Sequence, residues 1–206
     1  MRGCYCAVGA VYDRAYSTVA APHTLALSSF LAIVERKGTR RMAMDPAWVI
    51  DRLESNAYVF QGLVRLVRSP QAIWKPSADK WSMLEVMNHL GEEETDDFRI
   101  RLRLVLEDAA RQWPPIVDNQ FNKLDLRASL HRFTRERGRS IEWLRMLPQI
   151  DWQIAHNHEG GVLSAGDLLC SWLAHDLIHI RQINRLHYEY HANMSPEFST
   201  AYGGNW

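Results

Sequence analysis

Cysteine is scarce in this chain, with three residues among 206, at positions 4, 6 and 170. So few cysteines do not supply the several disulfides on which small extracellular domains usually depend. The low count therefore favours a reducing, cytoplasmic setting. Cys170 lies among apolar residues in the sequence, and we expect it to pack as a small hydrophobic side chain.

An excess of charge is also missing, because 24 Lys and Arg residues balance 24 Asp and Glu residues. Dedicated nucleic-acid-binding domains usually carry a clear basic excess, so nucleic acid is not an expected partner. The arginine-rich stretches are interleaved with acidic residues, which is typical of solvated helix faces.

Long hydrophobic runs are absent as well, since no stretch reaches the roughly 18 consecutive apolar residues that span a bilayer. We therefore expect no membrane partner. Segment 25–34 is apolar enough for the centre of a signal peptide, but the charged run 35–41 follows it where a small-residue cleavage site would stand. This pattern favours a cytoplasmic protein over a secreted one.

The first 43 residues show no sustained hydrophobic period and end in a basic run. Met44 then precedes Asp45-Pro46, where Asp is a good N-cap and Pro suits the first helical position. We expect residues 1–43 to be an extension with little structure, and the functional polypeptide to begin near Met44. A helical domain is expected over 44–192, and an irregular tail over 193–206.

Four stretches of this domain carry apolar residues at intervals of three and four, the period of an amphipathic helix. No series of strands is visible, so the sequence predicts an all-α four-helix bundle. The predicted helices run from about Ile50 to Val67, from Ser82 to the stop at Trp113-Pro114-Pro115, from Leu126 to Leu147, and from the capping box Ser164–Asp167 to His187 or beyond.

His175 and His179 are the most informative pair, because residues four apart project from one face of a helix. The face that they share is apolar, so both imidazoles should turn toward a core. Two imidazoles one turn apart can hold a single divalent metal, and burying both without a partner would cost free energy. The other residues of this face are Leu168, Trp172, Ile183 and Leu186.

A third ligand is needed, and the second predicted helix supplies His89 at the edge of its apolar stripe. Three histidines would leave coordination positions open, as catalytic metal sites require. The alternative is that His89 is simply a packed core histidine, which is the commoner case for a lone histidine on an apolar face. His156 and His158 form a second candidate group just before the last predicted helix, but a plain polar loop explains them better than a functional role.

A resemblance strengthens the metal hypothesis. The run Trp74-Lys75-Pro76, Lys80-Trp81-Ser82 and Glu85-Val86-Met87-Asn88-His89-Leu90, together with His175-Asp176-Leu177-Ile178-His179, resembles the DinB-like superfamily, which includes the YfiT-type proteins. The resemblance spans roughly Met44 to His187. It implies a four-helix bundle, often dimeric, with a three-histidine metal site to which His89, His175 and His179 correspond.

The resemblance also suggests a reaction. Family members with assigned activities resemble enzymes that use a low-molecular-weight thiol such as bacillithiol or mycothiol. We therefore expect one divalent transition metal (Zn, Ni, Fe or Mn), a thiol co-substrate, a small-molecule substrate and a homodimer. A bound ion would activate the thiol for S-transfer or water for hydrolysis. Asp176 or Glu93 is expected to fix a histidine tautomer.

Two other functions stay open at this point: a metal-binding stress-response protein without turnover, and a helical interaction module whose histidines only pack. Two metal patterns are excluded. A metalloprotease helix needs Glu directly after its first His, where this chain has Asp176. A di-iron bundle needs paired Glu-x-x-His elements, which the predicted helices lack.

Overall fold

The computed structural model describes residues 43–115, 125–158 and 161–204, and it confirms the all-α four-helix bundle. Residues 1–42 of the expected extension and the last two residues of the expected tail lie outside the described residues. A short antiparallel hairpin, which the sequence analysis did not predict, precedes the last helix. The elements are α1 (Pro46–Val64), α2 (Ser69–Ile73), α3 (Met83–Glu92), α4 (Phe98–Glu107), α5 (Leu126–Met146), β1 (Ala155–His158), β2 (Gly161–Ser164) and α6 (Ala165–Met194).

The second rod of the bundle consists of α3 and α4, joined without a break by the π-helical turn Glu93–Asp97. The prediction that this rod continues to Trp113 is wrong, because it ends at Glu107. Asp108 leaves the helical conformation, with φ −157° and ψ 90°, and its carboxylate accepts a hydrogen bond from the Ala110 N–H at 3.1 Å. This side-chain turn stops the helix before the prolines can.

Local capping chemistry sets the starts of the main helices where the sequence predicted them. The Asp45 carboxylate accepts from the first free N–H groups of α1. Reciprocal capping boxes start α3, between Ser82 and Glu85, and α6, between Ser164 and Asp167. In each box two backbone N–H groups, those of the N-cap residue and of the residue three positions later, gain acceptors that they would otherwise lack at a helix N-terminus.

The rods are not arranged around the bundle in chain order. The main packing partners of α1 are α5 and α6, and the α3–α4 rod also packs mainly against α5 and α6. The first and second rods therefore lie on opposite corners, as do the third and fourth. This arrangement makes α6 a direct neighbour of the α3–α4 rod, although most of the domain separates them in sequence.

The core consists of two hydrophobic clusters, one at each end of the bundle. One contains Leu53, Phe98 and Trp172, and the other contains Phe60, Met87 and Phe133. On every rod most of the buried polar residues fall at or near the boundary between the segments that enter the two clusters, so a polar layer crosses the bundle at mid-height. Its members are Asn56, His89, Glu93, Glu94, Asp97, Glu136, Arg137, Ser140, His175, Asp176, His179 and Gln182.

One smaller expectation, on Cys170, is wrong. Cys170 is exposed on α6 rather than packed, because it falls on the outer side of that helix. His187 is partly buried, where its Nε2 donates to the Leu63 carbonyl at 2.7 Å and its Nδ1 lies 2.9 Å from the Gln71 amide nitrogen. Among the described residues, none of the helices combines the length and apolar character needed to cross a membrane.

Candidate metal centre

The structure brings together the three histidines that the sequence singled out. His89 comes from the last turn of α3, and His175 and His179 come from successive turns of α6. They are 9%, 5% and 3% exposed, respectively. Their convergence depends on the non-sequential packing of the rods, which sets α3 beside α6.

The ring nitrogens of the three residues approach one another closely. His175 Nε2 lies 3.1 Å from His89 Nε2 and 3.1 Å from His179 Nε2. The three candidate ligand nitrogens all lie within 4.8 Å of one another, and no other group of three His, Cys, Asp or Glu side chains among the described residues meets this condition. The described part of the chain therefore contains one candidate metal site of this kind.

A fourth residue, Gln182, orients His179. The Gln182 side-chain oxygen accepts a hydrogen bond from His179 Nδ1 at 2.7 Å. Because an amide oxygen can only accept, the proton of the neutral ring lies on Nδ1, and the Nε2 lone pair faces the other histidines. Sequence reasoning missed this residue, although its position three after His179 places it on the same helix face.

Burial keeps all three rings neutral. Loss of solvation lowers the pKa of His89 well below its usual value of 6.5, with a further contribution from His179. Burial, the other two histidines and Arg137 lower the pKa of His175 well below 6.5. Burial lowers the pKa of His179 to about 4, against opposing contributions from Gln182 and Asp176. Neutral imidazole is the form that binds a metal.

This donor set fits a divalent transition metal. A tetrahedral ion with bonds of about 2.0–2.1 Å to nitrogen holds its ligand nitrogens about 3.3 Å apart, close to the two observed separations of 3.1 Å. Hydrogen bonding alone satisfies the cluster poorly, because a neutral ring has one N–H and His179 already donates its own to Gln182. A shared cation would use every converging lone pair.

Aromatic rings shield the cluster. The Trp81 ring meets the His89 ring edge-on at 5.0 Å between centroids and lies parallel to the His179 ring at 6.5 Å. The Phe98 ring packs against His175 at 5.3 Å. These apolar walls account for the low exposure of the imidazoles and lower the local dielectric constant, which strengthens any charge interaction inside.

Glu93 lies next to the cluster in the π turn, with Oε1 3.6 Å from His89 Nδ1. This separation is too long for a hydrogen bond, so the tautomer-fixing role expected of Glu93 stays a prediction. Burial raises the pKa of the Glu93 carboxyl well above 4.5, and the neighbouring Asp97 adds to the shift through its charge and a hydrogen bond. The pKa of Asp97 is also raised by burial.

The tautomer-fixing role expected of Asp176 is wrong. Its carboxylate turns away from the imidazoles and forms two hydrogen bonds with Arg137, at 2.7 and 2.8 Å, and one with the Asn56 side-chain amide at 3.1 Å. One step along a helix rotates a side chain by about 100°, so the residue after His175 faces α1 and α5 instead. Gln182 has the role for which Asp176 was proposed.

The second histidine group does not join the first. His156 and His158 lie on β1, and both imidazoles stack on the Trp113 ring, at 4.5 and 5.2 Å between centroids. His156 Nδ1 donates to the Ala109 carbonyl at 2.7 Å. The hairpin thereby holds the segment that follows α4 in place. The two residues lie on a strand rather than in the plain polar loop that the sequence suggested, and their contacts are structural.

Comparison with known proteins agrees with this geometry. The sequence profile of the DinB superfamily matches residues 52–183, which include all three histidines. The chain belongs to the DinB superfamily. No curated protein matches the sequence at a significant level.

A solved structure shares the fold. YfiT from Bacillus subtilis, described as a probable metal-dependent hydrolase with an unusual four-helix bundle topology, superposes with a TM-score of 0.63. The two sequences are 19% identical, and the match covers 74% of this chain and 93% of YfiT. The superposition shows that this DinB protein and YfiT share a four-helix-bundle fold.

Proposed function

We propose that His89, His175 and His179 bind one divalent transition metal, Zn, Ni, Fe or Mn, and that the protein is a metal-dependent hydrolase of a small molecule. The observation that supports this most is the convergence of three buried imidazoles, with His175 Nε2 3.1 Å from the Nε2 atoms of both His89 and His179. The description of YfiT as a probable metal-dependent hydrolase supports the reaction class.

When bound by three neutral ligands, such an ion keeps its full positive charge and favours the anionic form of water or of a thiol. The protein's own residues prepare the site for it. Gln182 holds His179 with its Nε2 lone pair directed inward. Trp81 and Phe98 limit access of bulk water. The buried Glu93 carboxyl, with its raised pKa, holds a proton beside His89 at higher pH than an exposed glutamate does.

Thiol S-transfer is the second reaction that we propose, on the ground of the family resemblance. Cys170, the cysteine that the structure describes, is exposed on α6. The burial of the histidines on the inner face of that helix separates them from this side chain. The thiol would therefore enter as a low-molecular-weight co-substrate rather than come from the described part of the protein.

Metal analysis tests the first half of the proposal. The purified protein, loaded with Zn²⁺ or Co²⁺ and dialysed, is expected to retain about one ion per chain, and His89→Ala, His175→Ala and His179→Ala are each expected to lose it. His131→Ala, an exposed histidine on α5, is the matched control and should retain the ion. A wild-type protein without stoichiometric metal would favour packed histidines and an interaction module.

Activity assays test the second half. The loaded protein is screened against ester, amide and phosphoester substrates, and separately against electrophiles with bacillithiol or mycothiol. Turnover that requires both the metal and His89 supports an enzyme. Turnover of the ester, amide or phosphoester substrates would indicate hydrolysis, and turnover of an electrophile with a thiol would indicate S-transfer. Stoichiometric metal with no turnover in either panel would favour a metal-binding protein without catalysis.

We further propose that the protein works as a homodimer, as the resemblance implies. Large apolar side chains are exposed on the neighbouring helices α1 and α6, among them Trp48, Tyr58, Val59 and Leu177. Exposed apolar surface of this kind is typical of interfaces. Analytical ultracentrifugation should give twice the chain mass of 23.9 kDa, and Trp48→Glu with Leu177→Glu should give the monomer mass. A monomeric wild-type protein would contradict this proposal.

A further inference from the structure

Arg137 lies in the centre of the polar layer, with a guanidinium group that is almost fully buried. Its Nε donates to Glu94 Oε1 at 2.8 Å, and its Nη2 lies 2.7 Å from the same oxygen in an ion pair. Its Nη1 and Nη2 form a two-pronged pair with the Asp176 carboxylate, at 2.7 and 2.8 Å. Nη1 also donates to the Leu53 carbonyl at 2.9 Å. One cation thus joins all four rods.

The two carboxylates that Arg137 binds belong to the two segments that carry the histidines. Glu94 lies in the π turn, five positions after His89 in the same rod. Asp176 is the residue directly after His175 on α6. Arg137 itself is on α5, which contributes none of the three histidines. The guanidinium is therefore a bridge between the two histidine-bearing rods, built from a third rod.

The bridge has little freedom, because the carboxylates are held from other sides as well. Glu94 Oε1 also accepts from the Trp172 indole N–H at 2.8 Å, and Oε2 accepts from the Ser140 hydroxyl at 2.8 Å. Asp176 Oδ2 also accepts from the Asn56 amide at 3.1 Å. Charge-assisted, two-pronged hydrogen bonds have narrow geometric tolerance, so each carboxylate fixes the backbone that bears it.

Stability alone gives a weak reason for such a group. Buried ion pairs are often no better for stability than well-packed apolar residues of similar volume, since desolvation offsets the charge attraction. Ligand geometry supplies a stronger reason. A site for one ion requires the nitrogens of separate rods to be held within about 0.5 Å of their working positions.

We propose that Arg137 is a positioning residue for the three-histidine site, fixing the π turn beyond His89 against the α6 backbone at His175 through Glu94 and Asp176. This inference rests on the proposed metal-binding function. It assigns to Arg137 an effect on the affinity and geometry of the bound ion that is separable from its effect on folding.

Co²⁺ titration tests this inference, because the visible absorption of Co²⁺ reports both binding and coordination geometry. The test variant is the triple Glu94→Gln, Arg137→Met and Asp176→Asn, which removes the three charges together and leaves no unpaired buried ion. We expect a cooperative thermal transition, Co²⁺ affinity weaker by about 10- to 100-fold, the range for groups that orient metal ligands, and a shifted or weakened visible band. Arg137→Lys, which keeps the charge but not the two-pronged geometry, should change in the same direction.

Arg145→Met is the matched control, because Arg145 is also on α5 and also pairs with two carboxylates, Asp51 and Glu54, but at the exposed surface. Its Co²⁺ affinity and spectrum should equal those of the wild type. If the triple variant folds and has the Co²⁺ affinity and spectrum of the wild type, the inference is overturned. If the triple variant does not fold, wild-type Co²⁺ affinity and spectrum in Arg137→Lys would overturn it. Failure of the wild-type protein itself to bind Co²⁺ would instead contradict the proposed function.

Discussion

His179 Nδ1 donates a hydrogen bond of 2.7 Å to the side-chain oxygen of Gln182, one turn further along α6. Both residues are buried, so water does not compete for this bond. The pairing selects one of the two neutral tautomers of the imidazole and aims its free lone pair at His175. A residue outside the three-histidine cluster thereby fixes the tautomer in which His179 can act as a ligand.

Replacing Gln182 by Leu removes this acceptor at nearly constant volume. We expect metal affinity to fall by about 10- to 100-fold, because the ring loses the partner that fixes its tautomer and orientation. Isothermal titration with Zn²⁺ measures the change. Gln153→Leu, at an exposed position, should leave the affinity unchanged. Equal affinities for wild type and Gln182→Leu would show that His179 needs no orienting partner.

The metal-free protein should lose stability with acidification in a way that depends on His175. The pKa of this ring is held well below 6.5 by burial and by its charged and imidazole neighbours. Below about pH 6.5 the unfolded chain therefore binds a proton on this ring, whereas the folded protein does not. As the pH falls, the unfolding free energy of the wild type decreases by up to about 1.4 kcal/mol per pH unit because of this group. The pH dependence of unfolding free energy in urea, with a chelator present, should be shallower by that amount in His175→Gln.

The matched control for this comparison is His131→Gln, whose exposed side chain lies outside the polar layer. Its stability profile should run parallel to that of the wild type between pH 5 and 7. A His175→Gln profile that is also parallel to the wild type would mean that the buried ring is protonated as easily as an exposed one. The neutral three-imidazole cluster would then be untenable.

Glu93 should have the opposite pH dependence. Burial and Asp97 raise the pKa of its carboxyl, so the folded protein holds this proton above pH 4.5 while the unfolded chain releases it. Stability from this group is therefore present at low pH and is lost as the pH rises toward the raised pKa. Glu93→Gln cannot ionise, so we expect its metal-free form to gain stability over the wild type between pH 5 and 8, measured by thermal unfolding. Glu142→Gln, at an exposed position, is the control. If Glu93→Gln is no more stable than this control, the prediction is refuted.

Ser82 connects local capping to the position of His89. Its hydroxyl accepts from the Glu85 N–H at 3.3 Å, and the Glu85 carboxylate accepts from the Ser82 N–H at 2.7 Å. Removing the hydroxyl in Ser82→Ala leaves an N-terminal donor of α3 without its partner, at a cost of about 1 kcal/mol in unfolding free energy. Urea denaturation measures the loss. Ser171→Ala, at an exposed position within α6, should change the stability by much less, and an equal loss in both variants would argue against a capping effect.

Much of the fold was predictable because the signals are local. Capping residues and hydrophobic period gave the rods and the starts of α1, α3 and α6, and the i, i+4 spacing gave the His175–His179 face. The hairpin was not predicted, because β1 and β2 have four residues each, too few for an alternating pattern to be distinctive. The helix α2 was not predicted either, because its five residues are too few to show a helical period.

The polar layer was less predictable because its pattern is tertiary. The acidic run that includes Glu93, Glu94 and Asp97 suggests a solvated surface, yet all three residues are buried. The π turn adds a residue to the rod and redirects these side chains inward, and the helical period contains no sign of that insertion. Asp176 was assigned to the wrong partner because nothing local in the sequence indicates that Arg137, 39 positions away, lies opposite it.

The 86 positions that separate His89 from His175 have a kinetic consequence. Their nitrogens meet only after the connections between opposite corners of the bundle have closed, and such long-range closure comes late in folding. An ion held there would stabilise the native state but hardly the transition state, so Zn²⁺ should slow unfolding and leave the refolding rate nearly unchanged. Stopped-flow measurements with and without the ion would reveal this, and faster refolding on adding Zn²⁺ would place the cluster in the folding nucleus instead.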